Sequence, residues 1–288
     1  MADQKLKPSG TASLRLPSYA KINLFLHITG RRADGFHNLQ SWFQFIDLKD
    51  TLSFTCTNAH DSLRIKSNFN AVCASKDNLI YKAACAVKPF AKKLTGVNVA
   101  LDKQIPTGAG LGGGSSNAAT TLIGLNQLWA CNLNQAQLID IGKHIGADVP
   151  IFLFQKAAWA EGIGEKLTEK SYIEQSALII KPDFHAATSR LFQHPKLKRN
   201  REKRLCHTTF NLNGLENDFL PVIEELYPEI LQHFANLPDK NQLRLTGTGA
   251  CFYLLSPDIN TLRQNQKNLA KGVDSWIVNT LNFASVNS

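Results

Sequence analysis

Short apolar runs with a period near two dominate the first hundred residues, and this pattern predicts β-strands. The runs cover residues 19–28, 42–48, 51–56, 62–66 and 97–101. A polar segment at 30–37, with Asp34 and Gly35 at its centre, predicts a turn after the first strand. The N-terminal part of the chain is therefore expected to be rich in strands.

A period of 3.6 replaces this pattern in three segments and predicts helices at about 78–88, 115–129 and 135–145. Asp77 is the expected N-cap of the first helix, and Pro89 should end or kink it near Lys88. The apolar run at 152–162 is expected to be extended.

A second half is predicted to begin near residue 176. Its pattern predicts a strand at 177–180, helices at 218–226, 228–234 and 259–269, and a strand, glycine turn and strand within 244–255. Strands and helices come in groups without a strict βαβ alternation, which favours an α+β fold. We expect two domains, residues 1–175 and 176–288.

The overall amino-acid composition is typical of an ordered protein. Its 288 residues are 43% hydrophobic and 19% charged, enough for one large domain or two ordinary ones. No run of 18 apolar residues and no N-terminal apolar segment occurs, so we expect a cytoplasmic protein that does not enter a membrane. Six cysteines without paired spacing are expected to be reduced thiols rather than zinc ligands.

The net charge of +9 is concentrated in residues 196–204, where six of nine residues are basic. This segment could bind nucleic acid, attract an anionic substrate, or form a solvated surface. No aromatic residue interleaves with the basic ones, which argues against binding of single strands by base stacking.

Residues 106–116 read PTGAGLGGGSS and run directly into a helical pattern. Such a turn brings backbone close to a ligand and directs free N–H groups of a helix N-terminus at one point, as phosphate binding requires. No Asp or Glu occurs from Lys103 to Ile139, which suits a polyphosphate. A dinucleotide fingerprint would need an acid about 20 residues on, and a Walker loop would need a lysine; neither is present.

Two charged residues interrupt apolar segments. Asp148 precedes an apolar run and requires a partner, and Lys21 lies within the first predicted strand. Asp148 could instead cap a helix, and Lys21 could be exposed on an edge strand. As a pair beside a phosphate site, they suit phosphoryl transfer to a hydroxyl: Asp148 would take or orient the proton, and Lys21 would keep Asp148 ionised.

Two further features could complete a binding site. The turn at 246–251, Thr-Gly-Thr-Gly-Ala-Cys, could be a tight hairpin or could close over a ligand with its N–H groups. His37 follows Phe36 in the polar turn and could be an ordinary surface or core histidine. It could also recognise a nucleobase, because a ring can stack while the imidazole hydrogen-bonds.

Taken together, these segments resemble the GHMP kinase superfamily, whose phosphate loop reads Pro-x-x-x-Gly-Leu-Gly-Ser-Ser. Seven further segments resemble, in the same order, the members that act on a cytidine diphosphate-linked polyol: AKINLFL (20–26), GRRADGFH (30–37), DNLI (77–80), GADVP (146–150), EGIG (161–164), NDFLP (217–221) and TGTGA (246–250). The resemblance implies transfer of the ATP γ-phosphate to a hydroxyl in the non-mevalonate isoprenoid route. It also implies a ribosomal-protein-S5-like N-terminal domain and a ferredoxin-like C-terminal domain, with the site between them.

The resemblance also implies roles for individual residues. Asp148 and Lys21 match the catalytic pair, and Mg²⁺ would accompany ATP, with Ser116 as a candidate ligand. The positions that match the ATP site are Asn78, Lys103, Pro106, Gly108, Gly110, Leu111, Gly112, Gly113, Gly114, Ser115, Ser116 and Asn117. Those that match the substrate site are Asn23, Phe36, His37, Thr188, Phe192, Gly247, Thr248 and Gly249. Where this chain has Phe36, the family commonly has Tyr, so stacking is kept and a phenol hydrogen bond is lost.

Two alternatives remain open at this point. A different GHMP kinase, acting on homoserine, mevalonate or a sugar, would share the phosphate loop and Asp148 but would lack a cytosine-sized pocket. An RNA-binding protein, based on residues 196–204 and an S5-like fold, would show steep salt dependence and no ATP turnover. We expect a small-molecule partner and no nucleic acid, and the sequence leaves the oligomeric state open.

Overall fold

The computed structural model describes residues 12–69, 76–184, 187–206 and 216–286. Its first two strands, β1 (Ser13–Arg31) and β2 (His37–Thr57), form a long antiparallel pair. Gly35 has φ +87° in the connecting turn, a conformation that glycine adopts without strain. The strand and the turn predicted from the sequence are both confirmed, and β1 extends beyond the predicted bounds.

The prediction of separate strands at 42–48 and 51–56 is wrong, because β2 runs through both. The polar residues between the two segments interrupt the apolar pattern, which is why two strands were predicted. In the structure Asp50 is fully buried, accepts hydrogen bonds from the backbone N–H groups of Gln104 and Ile105, and pairs with Lys103. These partners satisfy the carboxylate, so the strand can continue through it.

Helices and short strands complete the N-terminal half. They are β3 (Leu63–Ser67), α1 (Leu79–Val87) with a 3₁₀ turn (Lys88–Phe90), β4 (Gly96–Asp102), α2 (Gly113–Leu128), α3 (Gln135–Lys143), α4 (Val149–Phe154), β5 (Ala158–Glu161) and β6 (Lys166–Glu169). The three predicted helices are confirmed, and the first ends before Pro89 as expected.

Two local predictions need correction. Asn78, and not Asp77, is the N-cap of α1, because its side-chain oxygen accepts the N–H of Ile80. The segment 152–162 is not extended throughout, because its first residues belong to α4 and only 158–161 form a strand. Pro150 in the first turn of α4 favours a helix start there, since its fixed φ suits that position.

The second half begins with β7 (Ser176–Lys181) and continues through α5 (Thr188–Gln193), α6 (Leu220–Leu226), 3₁₀ helices (Pro228–Phe234 and Lys240–Gln242), β8 (Arg244–Leu245), β9 (Phe252–Ser256), α7 (Ile259–Lys267) and β10 (Asp274–Leu281). The predicted strand–turn–strand unit corresponds to β8 and β9. The helix predicted at 228–234 is a 3₁₀ helix, and α5, β6 and β10 were not anticipated from the sequence.

Within the described residues, the strands form one mixed sheet that spans both halves. Its central order is β3-β4-β2-β10-β7-β9-β8, with β1 and β5 also paired to β2. β10 joins the halves because it pairs with β2 and with β7. A core cluster that includes Ile22, Phe25 and Trp42 from one half and Ile179 and Tyr253 from the other packs at this junction.

This architecture agrees with the predicted α+β class. The predicted boundary between residues 175 and 176 falls immediately before β7, and the two-domain division stays a prediction. In the part of the chain that the structure describes, no helix is long and apolar enough to cross a membrane.

Candidate active site

The glycine-rich turn predicted as a phosphate site leads into the N-terminus of α2. Gly108, Gly110 and Gly112 have φ between +66° and +74°, and Gly112 is the N-cap of the helix. No side chain caps this helix, so the N–H groups of its first turn are left for a ligand. An exposed, uncapped helix N-terminus attracts anions through these groups and the helix dipole.

The second glycine turn packs against the first, backbone to backbone. A Cβ on Gly110 would lie 2.6 Å from the carbonyl oxygen of Thr246, and a Cβ on Gly247 would lie 2.9 Å from that of Gly110. The N–H of Cys251 donates to the carbonyl oxygen of Ala109 at 3.2 Å. The turn is thus both the connection between β8 and β9 and a wall of the first turn. We call residues 108–116 and 246–249 together the glycine cradle.

Lys21 and Asp148 meet, as their positions in apolar segments led us to expect. Lys21 Nζ lies 3.3 Å from Asp148 Oδ2, and the side chains are 3% and 37% exposed. Lys21 Nζ also donates to Asn23 Oδ1 at 2.7 Å. An ideal Cβ on Gly112 would lie 3.2 Å from Lys21 Cε, so this pair adjoins the glycine cradle. Asp148 is the more accessible partner, and its carboxylate can therefore reach a ligand.

Asn23 is held by a buried hydrogen-bond network. Its side-chain N–H group donates to Ser41 Oγ at 2.7 Å, and its backbone N–H donates to Thr246 Oγ1 at 3.0 Å. Ser41 Oγ donates in turn to the carbonyl oxygen of Phe25. This network fixes the Asn23 amide that accepts from Lys21, and so it orients the Lys21 ammonium towards Asp148.

Lys103 forms a buried ion pair with Asp50 at 2.9 Å and also donates to the carbonyl oxygen of Ile105. Burial lowers the pKa of Lys103, and the attraction of Asp50 opposes this shift. A Cβ on Gly113 would lie 3.2 Å from Lys103 Nζ. Lys103 therefore holds the segment between β4 and α2 and brings a positive charge to the start of that helix.

Three aromatic side chains form what we call the ring pocket: Phe36, His37 and Phe192. The rings of His37 and Phe192 are stacked with centroids 5.0 Å apart, and Phe192 packs edge-on against Phe219 at 4.9 Å. Phe36 is 60% exposed. Burial, together with the positive charges of Arg199 and Arg31, lowers the pKa of His37, which keeps the imidazole neutral.

The glycine cradle, the Lys21–Asp148 pair and the ring pocket line one cavity of about 1130 Å³. Among the predicted ATP-site and substrate-site residues, those that line it are Asn23, Phe36, His37, Asn78, Lys103, Pro106, Gly108, Gly110, Leu111, Gly112, Gly113, Gly114, Ser115, Asn117, Thr188, Phe192, Gly247 and Thr248. Thr188 and Thr248 also hydrogen-bond to each other at 3.0 Å, which links α5 to the glycine cradle.

Ser116 and Gly249 do not line the cavity. The Ser116 hydroxyl is buried and accepts a hydrogen bond from Ser18 Oγ at 2.8 Å, so the helix directs it towards β1 while Ser115 lies at the cavity. Gly249 faces the interior, where a Cβ would lie 2.6 Å from Ile223 Cδ1.

Mg²⁺ fits this cavity only as an ion bound largely by phosphate oxygens. Within the described residues, no three His, Cys, Asp or Glu side chains cluster in a way that could hold a metal. Mg²⁺ in nucleotide sites keeps several waters and takes one or two protein ligands beside the phosphates. The Ser115 hydroxyl, which lines the cavity, could supply such a ligand.

The sequence did not single out Ser41, Asp50 or Thr246, because their partners are distant in the chain. Of the basic segment 196–204, Lys196 pairs with Glu225, and Arg201 pairs with Glu216 and Asp218. Two of its six basic residues are therefore paired with carboxylates of the protein. Arg199 is the member that lines the cavity.

Residues 78–156 match the family model described as the GHMP kinases N terminal domain. A protein from Francisella tularensis subsp. holarctica named 4-diphosphocytidyl-2-C-methyl-D-erythritol kinase is 46% identical over 270 residues, which cover 92% of this chain and 96% of that protein. A protein of the same name from Acinetobacter baylyi is 47% identical, with coverage of 93% and 96%.

Solved structures agree with this relationship. A crystal structure of 4-(cytidine 5'-diphospho)-2C-methyl-D-erythritol kinase superposes with a TM-score of 0.79 at 26% identity, covering 94% of this chain and all of that one. A homoserine kinase from Cytophaga hutchinsonii, at 13% identity and a TM-score of 0.64, shares the fold. The chain belongs to the 4-diphosphocytidyl-2-C-methyl-D-erythritol kinase family of the GHMP kinases.

Proposed function

We propose that this kinase transfers the γ-phosphate of ATP to the 2-hydroxyl of 4-diphosphocytidyl-2-C-methyl-D-erythritol, in non-mevalonate isoprenoid precursor biosynthesis. The observation that carries the proposal is the single cavity shared by the glycine cradle, the Lys21–Asp148 pair and the ring pocket. Its volume of about 1130 Å³ exceeds the roughly 300–1000 Å³ of most single-ligand sites. A cavity of this size is compatible with a nucleotide and a cytidine diphosphate alcohol bound side by side.

The glycine cradle would bind the ATP phosphates. The uncapped N–H groups at the start of α2 supply the donors. Asn78 and Lys103 are the residues that we place near the adenosine. When bound with ATP, Mg²⁺ would neutralise charge on the β- and γ-phosphates, with Ser115 as the candidate ligand from the protein. We assign to Ser115 the role that was first expected of Ser116, because Ser115 is the serine that lines the cavity.

Asp148 would accept or orient the proton of the attacking hydroxyl. It is the exposed partner of the ion pair, whereas Lys21 is buried beneath it. Lys21 pairs with Asp148 and opposes the negative charge that develops on the transferred phosphoryl group. Asn23 holds the ammonium in place through its own hydrogen bond.

The ring pocket would bind the cytosine base. Aromatic faces stack on a base, and His37, kept neutral by burial and neighbouring arginines, can hydrogen-bond to its edge. His37 Nε2 is buried and has no partner within the described residues, so a donor or acceptor is left for a ligand. The cytoplasmic location, the two-domain division and the absence of a nucleic-acid partner stay predictions.

A phosphate-transfer assay tests the proposal. The enzyme is mixed with ATP, Mg²⁺ and the cytidine diphosphate alcohol, and ³¹P NMR locates the new ester. We expect a monoester at the 2-hydroxyl and no turnover of the polyol without its cytidine diphosphate. Equal turnover of mevalonate, homoserine or a sugar would indicate a different GHMP kinase instead. Salt-sensitive binding of RNA without ATP turnover would favour the RNA-binding alternative.

A further inference from the structure

Arg199 is tied to the backbone at the end of α5. Its Nη2 donates to the carbonyl oxygens of Phe192 and His194, each at 2.8 Å, and its Nη1 donates to that of Leu197 at 3.1 Å. The side chain also lines the main cavity. One planar guanidinium thus spans three carbonyl groups and reaches the site at the same time.

The position of these carbonyls explains why an arginine is needed. Phe192 lies in the last turn of α5 and His194 directly follows the helix; the last carbonyls of a helix have no partner within it, and a positive charge there is favoured by the helix dipole. α5 has only six residues, and so short a helix has little stability of its own. Hydrogen bonds from Arg199 supply part of what holds it.

Phe192 lies in this last turn of α5 and its ring stacks on His37. The first residue of the helix is tied to the glycine cradle by the Thr188–Thr248 hydrogen bond. Any movement at the end of α5 therefore displaces Phe192 with respect to His37. Phe192 thus connects Arg199, through its carbonyl oxygen, with the stacked pair, through its ring.

We propose that Arg199 is a positioning residue of the ring pocket, which fixes the end of α5 so that Phe192 and His37 stay in the arrangement that receives the cytosine base. The inference rests on the proposed function and deepens it by adding a residue that sets affinity for the cytidine moiety. It also assigns a role to one member of the basic segment 196–204.

The Arg199→Lys variant distinguishes a positioning role of Arg199 from an effect of its positive charge. A lysine at this position would keep the positive charge and the aliphatic stem, but its point-like ammonium cannot replace a planar fork that spans three acceptors. Lys198 provides a matched control, because it is an exposed basic residue of the same segment. The variants to compare are therefore Arg199→Lys, Arg199→Ala and Lys198→Ala.

Binding of cytidine 5'-diphosphate is measured by calorimetry, and KM is measured for the cytidine diphosphate alcohol and for ATP. We expect both Arg199 variants to lose about tenfold in cytidine diphosphate affinity and to raise the alcohol KM by a similar factor. The ATP KM should stay within twofold, and Lys198→Ala should match the wild type. The pKa of His37, followed by NMR, should rise in Arg199→Ala and change less in Arg199→Lys, because lysine keeps the charge.

Three results would overturn the inference. Wild-type affinity in Arg199→Lys would show that charge alone matters. Equal increases in the KM for ATP and for the alcohol would show a general structural effect. Unchanged cytidine diphosphate affinity in both variants would show no role in the pocket. If Arg199→Ala does not fold, Arg199→Lys decides. A wild-type enzyme that binds no cytidine diphosphate would instead refute the proposed function, before any variant is used.

Discussion

The glycine cradle and the ring pocket line the same cavity but are built by opposite means. In the cradle, backbone approaches backbone so closely that a Cβ on Gly110 would lie 2.6 Å from a carbonyl oxygen. Its donors are main-chain N–H groups at the start of α2. In the ring pocket, side chains provide the surface, and the centroids of the stacked His37 and Phe192 rings lie 5.0 Å apart.

This difference determines how each region should respond to mutation. A cradle made of backbone has no room for an added side chain, so a single methyl group forces both turns to move. A pocket made of side chains can lose one ring and keep the others. Each substitution there should therefore reduce substrate affinity only in part. The Lys21–Asp148 pair belongs to neither region and should affect the chemical step rather than binding.

Asp148→Ala should have the largest effect. We expect kcat to fall by about 10²–10⁴-fold, the usual contribution of a general acid–base group. Nucleotide affinity should be nearly unchanged, because the cradle N–H groups remain. Steady-state kinetics and ATP binding by calorimetry measure the two quantities. Asp140→Ala, on the exposed side of α3, is the control for loss of an aspartate, and an unchanged kcat in Asp148→Ala would remove this residue from the mechanism.

Gly110→Ala tests whether the cradle depends on backbone contact. The residue has φ +74°, and the added Cβ would meet the carbonyl oxygen of Thr246. We expect the KM for ATP to rise more than tenfold and thermal stability to fall. Gly272→Ala is the control, because Gly272 has φ +84° but nothing within 4 Å of the added Cβ.

Gly272→Ala separates the effect of the backbone conformation from the effect of the close contact made by the added Cβ. Gly272→Ala should lose about 1–2 kcal/mol of stability from its backbone conformation and keep the ATP KM of the wild type. If both glycine variants had the same ATP KM and melting temperature, close packing of the two turns would not matter to ATP binding.

Phe192→Ala should have a smaller, selective effect. Stacking of an aromatic side chain on a base contributes about 1–3 kcal/mol, which corresponds to an increase of roughly 5- to 150-fold in the KM for the cytidine diphosphate alcohol. The ATP KM should stay within twofold. Phe90→Ala, at an exposed ring outside the cavity, is the control. An ATP KM that rose in parallel would mean that the ring pocket and the cradle are not separate binding regions.

Sequence reasoning identified the cradle more completely than the ring pocket, and the reason is physical. Glycines, serines and the missing carboxylates of 108–116 are adjacent in the chain, so the sequence alone displays the site. The Lys21–Asp148 contact could also be inferred, because each charge interrupts an apolar segment and needs a partner. Arg199 was visible only as one of several basic residues, since its acceptors are carbonyl groups that carry no sequence signal.

Long-range pairing also limited the prediction of the fold. β2 was divided in two between residues 48 and 51, because Lys103, the partner that satisfies Asp50, lies 53 positions away in the chain. β10 was missed although it joins the two halves of the sheet. Its place between β2 and β7 follows from tertiary pairing, which local periodicity does not encode.

Phe36→Tyr should have the smallest effect and bears on the ring pocket alone. Phe36 is 60% exposed and lines the cavity. A phenol hydrogen bond gained by this substitution would contribute about 0.5–1.5 kcal/mol, so the KM for the cytidine diphosphate alcohol should fall roughly two- to tenfold at constant ATP KM. Phe36→Ala should raise it, because stacking is lost. If neither variant changed this KM, Phe36 would not contact the base, and the ring pocket would consist of His37 and Phe192 only.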